Sequence, residues 1–235
     1  MKELLKKYLD DLKLEYTEEQ VNVLISYMEL ILERNEHINL TAVKDPKEFL
    51  IRHYVDSFAI CNMEEYKQAS LVMDLGTGAG FPGVPLAVLS PDKDFVLADS
   101  MNKRLLVINE FTSKLGITNV MTIHGRAEDL GQDKRYRQQF DLCVSRAVSR
   151  MSVLAEYCLP LVRMNGYFIS YKGNDIEEEL AEGKKAIKTL GGKTDRVVNF
   201  QYDELDHSIV VVKKTGFTPG KYPRRAGVPG KTPIR

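Results

Sequence analysis

The 235-residue chain has no tryptophan, only three cysteines and four histidines, and a formal net charge of zero. Cys61, Cys143 and Cys158 are odd in number and show no C-x-x-C spacing. That argues against a disulfide framework and a zinc cluster, and for a reducing compartment. No apolar run approaches the ~18 residues that a membrane span needs. The N-terminus, Met1-Lys-Glu-Leu-Leu-Lys-Lys, mixes charges into its apolar positions and is no signal peptide. A soluble, cytoplasmic, monomeric protein without a membrane partner is expected. Acidic residues stop at Asp206. Seven basic residues follow, which leaves 26 of the 33 Lys and Arg to face all 33 acids in the preceding chain. An acidic body with a basic tail is compatible with a polyanionic partner, and the total charge hides it.

What is present is a globular composition. Hydrophobic residues make up 43%, enough for a core without disulfide or metal staples. The first third reads as helices. Leu4, Leu5, Tyr8, Leu9 and Leu12 share a helical face. Thr17 with Gln20 forms a capping box ahead of Val21, Leu24, Ile25, Met28, Ile31 and Leu32. Asp45-Pro46-Lys47-Glu48 opens a third helix: a cap, a proline at the first position, a glutamate at the third. Near residue 70 the period changes. Strands are expected at Leu71–Asp74, Phe95–Ala98, Val120–His124, Phe140–Val144, Tyr167–Tyr171, Val197–Tyr202 and Ser208–Val212. Helices are expected at Val84–Leu89, Lys103–Leu115, Val153–Leu161 and Ile176–Leu190. Alternating strands and helices imply an α/β fold with a mostly parallel sheet. The last two strands are only five residues apart, too close for a parallel crossover, so they must be antiparallel. The expected organisation is a helical cap (1–66), an α/β core (67–214) and a basic, Pro/Gly-rich arm (215–235), irregular or extended.

The strongest motif is Asp74-Leu-Gly76-Thr-Gly78-Ala-Gly80-Phe81-Pro82-Gly83, between a strand and a helix. Such a turn could be purely structural, but four glycines at a strand's carboxyl end mark a ligand position. Two ligands compete. Gly78-x-Gly80-x-x-Gly83 with Asp99 at the next strand end fits a dinucleotide. Asp74-x-Gly76-x-Gly78-x-Gly80 fits S-adenosylmethionine. A pyrophosphate wants bare amides at a helix N-terminus, whereas this turn carries the Asp74 carboxylate, and Pro82 and Pro85 remove two amides. A carboxylate favours the ammonium and sulfonium of the methyl donor, which is therefore preferred over a nicotinamide dehydrogenase. Asp99 would take ribose hydroxyls in either case. Arg126-Ala127-Glu128, after the third strand, is where adenine would sit, although Glu128 alone reads more readily as a solvated or capping acid than as a ligand contact.

Across essentially its whole length the sequence resembles the bacterial 16S ribosomal RNA guanine-N7 methyltransferase family, also called glucose-inhibited division protein B. The resemblance lies in Asn39-Leu-Thr41, His53-Tyr-Val-Asp56-Ser57, the Asp74–Gly83 loop, Asp99-Ser-x-x-Lys103-Arg104, Arg126-Ala-Glu128, Ser145-Arg146-Ala147, Lys172-Gly173 and Tyr222-Pro-Arg224-Arg225-x-Gly227-x-Pro229. It implies a class I methyltransferase: a Rossmann-like, seven-stranded sheet with one antiparallel strand and a helical N-terminal extension. It also implies methyl transfer from S-adenosylmethionine to N7 of one guanine in the decoding region of 16S ribosomal RNA. The matching cofactor positions are Gly76, Phe81, Ala127, Glu128 and Arg146. Other substrates within the superfamily (another RNA position, a small molecule), or a cofactor-fold protein that only binds RNA, are the competing readings.

The chemistry agrees. No Asn/Asp-Pro-Pro-aromatic motif follows the fourth strand, and Cys143 reads as a small buried hydrophobe rather than a nucleophile. Guanine N7 has a free lone pair and no proton to lose, so positioning suffices. Arg146 is placed where cofactor and substrate meet, as the catalytic candidate. It would hold the methionine end or donate to guanine O6; a surface ion pair is the plain alternative. Lys103, Arg104, Tyr222, Arg224 and Arg225 are the RNA-binding candidates, through phosphates and stacking; the far end around Arg235 reads equally as a solvated tail. His53 and Asp56 read as a local hydrogen bond rather than a metal pair, and Asn39 and Thr41 as turn-forming residues with a second role lining the RNA cleft.

Overall fold

The computed structural model describes residues 1–174 and 176–234; Asp175 and Arg235 lie outside the described residues. Helices α1 (Lys2–Asp11) and α2 (Glu18–Asn35) come first. The Thr17–Gln20 capping box forms in both directions, satisfying two amides that the first turn would leave unpaired. Asp45 accepts from the Glu48 amide at 2.8 Å and starts α3 (Pro46–Phe49). The chain continues through a π-helical turn, Leu50–Val55, into α4 (Asp56–Phe58), and then α5 (Glu64–Lys67).

From here strands and helices alternate: β1 (Leu71–Leu75), α6 (Gly83–Leu89), β2 (Asp94–Asp99), α7 (Asn102–Lys114), β3 (Val120–His124), α8 (Ala127–Gln132), β4 (Phe140–Arg146), α9 (Met151–Cys158), β5 (Val162–Lys172), α10 (Glu177–Thr189), β6 (Gly192–Tyr202), β7 (Leu205–Lys214) and a final turn, α11 (Val228–Lys231). The seven strands lie in the order β3-β2-β1-β4-β5-β7-β6. β7 pairs antiparallel with both β5 and β6; the other pairs are parallel. The expected sheet is present.

Boundaries differ where the apolar signal is thin. β6 and β5 begin several residues earlier than expected, because β6 is the edge strand and the first half of β5 carries Arg163 and Asn165. α8 was not anticipated; its six residues offer too short a pattern for periodicity. The hairpin between β6 and β7 turns on Asp203 and Glu204 alone, with Asp203 at φ +51.

The sheet's two faces bury different sets. Val72, Leu142, Ile209 and Val211 join the core under α1, α2, α6 and α7. Met73, Cys143, Val210 and Val212 join the core under α9 and α10. Side chains two apart share a face and neighbours do not, as the pleat requires. The arm after β7 has no helix or strand before α11, yet it is tied to the body. Arg137 donates to the Gly131, Tyr222 and Thr218 carbonyls at 2.7–2.8 Å. Gln132 donates to the Pro223 carbonyl at 2.8 Å. Lys214, fully buried, reaches the carbonyls of Leu159 (2.6 Å) and Leu190 (3.1 Å) and the Thr218 hydroxyl.

Candidate active site

The strand order reverses between β1 and β4, and in such sheets ligands bind outside the carboxyl ends of the strands at that point. A cavity of about 370 Å³ opens there, lined by Gly76, Asp99, Arg104, Ala127, Glu128 and Gly227 among others. The glycine loop forms its floor. Gly76 has φ +77, and a Cβ there would collide with the Val148 side chain, so only glycine fits this bend.

The loop's amides are almost all spoken for. Gly76 and Thr77 donate to the Ala98 carbonyl (2.8 and 3.1 Å), and Gly80 and Phe81 to the Thr77 carbonyl (3.0 and 2.9 Å). Val84 donates to the Gly80 carbonyl at 2.7 Å. Gly78 donates to Asp99 Oδ2 at 3.0 Å and Gly83 to Asp74 Oδ2 at 2.8 Å. Pro82 and Pro85 have no amide. The start of α6 therefore offers no cradle of free N–H groups of the kind a pyrophosphate uses.

The two acids of the motif do different work. Asp74 is fully buried behind the loop. Its Oδ2 accepts from Thr77 Oγ1 (2.6 Å) and the Gly83 amide, while Oδ1 has no hydrogen-bond partner. Burial pushes its carboxyl up to about 6 against those two bonds. Asp99 lies on the crevice wall, held by the amides of Gly78 and Met101 (2.8 Å). Glu128 is buried, not solvated, and accepts from the Gly227 amide at 2.8 Å. Carboxylates on the wall and an unpartnered carboxylate oxygen behind it suit a cationic nucleoside bearing hydroxyl donors, and so fit S-adenosylmethionine.

A second cavity, about 450 Å³, adjoins the first across Ala147, which lines both. Arg146 stands in its wall. Nη1 donates to Asp56 Oδ2 (2.6 Å) and to the Arg52 carbonyl (3.1 Å); Nη2 lies 3.2 Å from His53 Nδ1. The guanidinium sits 5.6 Å from the centre of the Phe81 ring, on which His53 stacks at 4.5 Å. His207 Nδ1 meets Asp56 Oδ1 at 2.8 Å. Burial, reinforced by Arg146, pushes the His53 imidazole down to about 3. The bond to Asp56 raises His207 above the usual histidine value. Burial alone would raise Asp56, but His207 and Arg146 more than reverse that and its carboxyl is lowered.

The structure thus brings Gly76, Asp99, Ala127 and Glu128 into one crevice. Asp74 and Gly78 stand behind its floor and brace it. Phe81 lies in an aromatic cluster with Tyr27, Phe49 and Tyr54, beneath the second cavity rather than on the crevice wall. His53 and Asp56 share Arg146 instead of bonding each other. Among the basic candidates, Lys103 and Arg225 are exposed. Arg104 lines the crevice, with Nη1 3.8 Å from Asp99. Tyr222 packs on the core under α9, with Lys221 over its ring. Arg224 is committed to Glu156, whose side chain is fully buried: Nε and Nη2 bind both carboxylate oxygens at 2.6–3.2 Å. Cys143 is fully buried, and burial pushes its thiol well up. Asn39 is exposed, and the turn is made by Asn35, which binds the amides of Leu40 and Thr41 (2.7 and 3.0 Å). Among the described residues no group of three or more His, Cys, Asp or Glu could hold a metal, and no helix is long and apolar enough to cross a membrane. Sequence reasoning missed His207, Glu156 and Tyr157, which lines the first cavity. Nothing local distinguishes a histidine in a strand or a glutamate in a helix from its neighbours; their roles arise from partners far along the chain.

Comparison with known proteins agrees with this geometry. The family described as rRNA small subunit methyltransferase G (GidB) matches residues 20–209. Proteins named ribosomal RNA small subunit methyltransferase G from Clostridium tetani (41% identical over 99% of this chain and 98% of the relative) and Clostridium beijerinckii (46%, over 99% and 98%) are similar throughout. Among solved structures, cofactor-bound Rv0187 from MTB superposes with a TM-score of 0.58 at 16% identity, covering 80% of this chain and 89% of that one. The O-methyltransferase TomG from Streptomyces achromogenes, solved in complex with SAM, superposes with 0.57 at 14% identity, covering 89% and 95%. These two show the class I methyltransferase fold. With its core matched to the family and its length shared with such relatives, the chain belongs to the ribosomal RNA small subunit methyltransferase G (GidB) family.

Proposed function

We propose that this protein transfers a methyl group from S-adenosylmethionine to N7 of a guanine in 16S ribosomal RNA. The observation that carries the reading is the glycine loop whose amides are consumed internally, next to the wall carboxylates of Asp99 and Glu128. Such a crevice favours a cationic nucleoside over a pyrophosphate compound. Asp99 accepts from ribose hydroxyls, Ala127 and Glu128 border the adenine, and Asp74, buried behind the loop, adds negative potential on the side of the methionine ammonium. The cofactor supplies an electrophilic methyl on sulfur. The chain's part is to seat the target base in the second cavity, with N7 directed past Ala147 towards that methyl. With that donor bound, N7 would take the methyl on its own lone pair as sulfur gives it up, and the positive charge would pass from sulfur to the purine ring. No proton leaves N7, so no general base is required, in keeping with an Asp56 carboxylate held ionised and a His53 held neutral. Positioning and exclusion of water supply the rate. Lys103 and Arg225, the exposed cations, contact RNA phosphates.

Incubating purified protein with small-subunit RNA and labelled methyl donor, then mapping the label, tests the reading. Label on a guanine N7 supports it; label elsewhere, or none, overturns it. Calorimetry should show binding of S-adenosylmethionine and none of NADH, and Asp99→Ala should weaken that binding.

A further inference from the structure

Guanine and adenine both carry a nucleophilic N7. They differ on that edge at the neighbouring position: guanine presents O6, an acceptor, and adenine presents N6, a donor. Selection of guanine therefore needs a fixed donor beside the reacting nitrogen.

The hydrogen bonds around Thr41 supply one. Arginine only donates. Arg146 Nη2 is 3.2 Å from His53 Nδ1, so Nδ1 accepts and the ring proton of a neutral His53 resides on Nε2. His53 Nε2 lies 2.7 Å from Thr41 Oγ1, so the threonine oxygen accepts there. The Val43 amide donates to the same oxygen at 3.1 Å. A hydroxyl has two lone pairs and one proton. Both lone pairs of Thr41 are filled, and its own proton has no partner among the described residues. Thr41 lines the second cavity. Acceptors that could compete are already engaged: Asp56 gives one oxygen to Arg146 and the other to His207. Of the other polar side chains on the cavity wall, Tyr171 donates to the Ser57 carbonyl, Lys172 to Glu179, Arg52 Nε to Glu48 and His207 Nδ1 meets Asp56, which leaves Thr41 as the hydroxyl whose proton is fixed by its two donors.

We infer that the Thr41 hydroxyl donates to O6 of the target guanine and rejects adenine, its proton aimed by the chain Asp56–Arg146–His53. The inference rests on the second cavity being the base pocket of the proposed methyl transfer. Arg146 is then a positioning residue. It sets the tautomer of His53, and His53 fills the lone pair that would otherwise let Thr41 accept from an adenine amine.

The test compares RNA carrying guanine at the target with RNA carrying 2-aminopurine, which keeps N7 but has no O6. Wild type should prefer guanine, and Thr41→Val should lower kcat/KM on guanine by roughly 10- to 100-fold, the size of one well-placed hydrogen bond. On 2-aminopurine the same variant should change little, so the preference collapses. Thr41→Ala, which adds no bulk, should give the same collapse, and Thr41→Ser should restore the preference. Calorimetry with S-adenosylmethionine shows that each variant is folded. Equal losses on both substrates, or an unchanged preference in the Val and Ala variants, overturn the inference alone. Absence of any N7 product from wild type overturns it together with the proposed function.

Discussion

The two ends of the chain are attached to the sheet by different physics. The N-terminal helices are held by apolar burial: Leu5, Leu9, Val21, Leu24 and Ile31 are fully buried in the same core as Val72, Leu142 and Val211 of the sheet. The C-terminal arm is held by polar clamps: Arg137 on the Thr218, Pro219 and Tyr222 carbonyls, Lys214 on the Thr218 hydroxyl, Arg224 on Glu156. Apolar burial is non-directional and tolerates small shifts. A clamp built from buried charge is directional and fails sharply when one partner is removed. The arm also reaches the cofactor crevice, where Gly227 donates to Glu128, so loosening it should disturb the site as well as the fold.

Substitutions can break or sharpen this contrast. The largest effect is expected from Leu24→Ala in the cap, about 4 kcal/mol of destabilisation, as for other large-to-small changes in a full core. Chemical denaturation should show it, with cofactor affinity per folded molecule retained. Arg224→Ala leaves the buried Glu156 carboxylate unpaired and should cost about 3 kcal/mol. Unlike the cap variant, it should also weaken S-adenosylmethionine binding in calorimetry. Equal cofactor affinity in the two variants would erase the distinction between the ends. Arg225→Ala, one residue on and exposed, should change stability by less than about 0.5 kcal/mol. Instead it should lower RNA affinity and reduce the slope of log affinity against log salt by about 0.7–0.9.

The smallest effect probes a polar seam between the cap and β7, Asp56 to His207. The bond raises His207 in the folded state, so its contribution is full below the unfolded value near 6.5 and fades as pH rises through the higher folded value. His207→Gln should abolish that fading. Denaturation of both proteins at pH 6 and pH 8 checks it, and an identical pH dependence would show that the seam contributes nothing.

Short-range features were legible before the fold was known. The Thr17 capping box, the Asp45 cap, the glycine loop and the antiparallel last pair each depend on residues within a few positions of one another. The same holds for Asp99, which ends β2. Other charged side chains take on partners that the sequence does not show. Arg224 reads as a free cation until Glu156, 68 residues away, is placed under it. Arg146 reads as a ligand contact until Asp56, 90 residues away, takes its guanidinium. Asp74 stands at the ligand turn as its motif suggests, and the structure adds that it is buried behind the loop it braces.

Periodicity, caps and glycines were enough to dictate the order of elements and the place where a ligand must enter, since those depend on local backbone preference and on which face of each element is apolar. Which charges meet that ligand and which are consumed in holding the molecule together was settled only in three dimensions. A charged side chain's role depends on the partner and the burial it finds, and chain separations of 68 to 151 residues conceal both until the sheet has assembled.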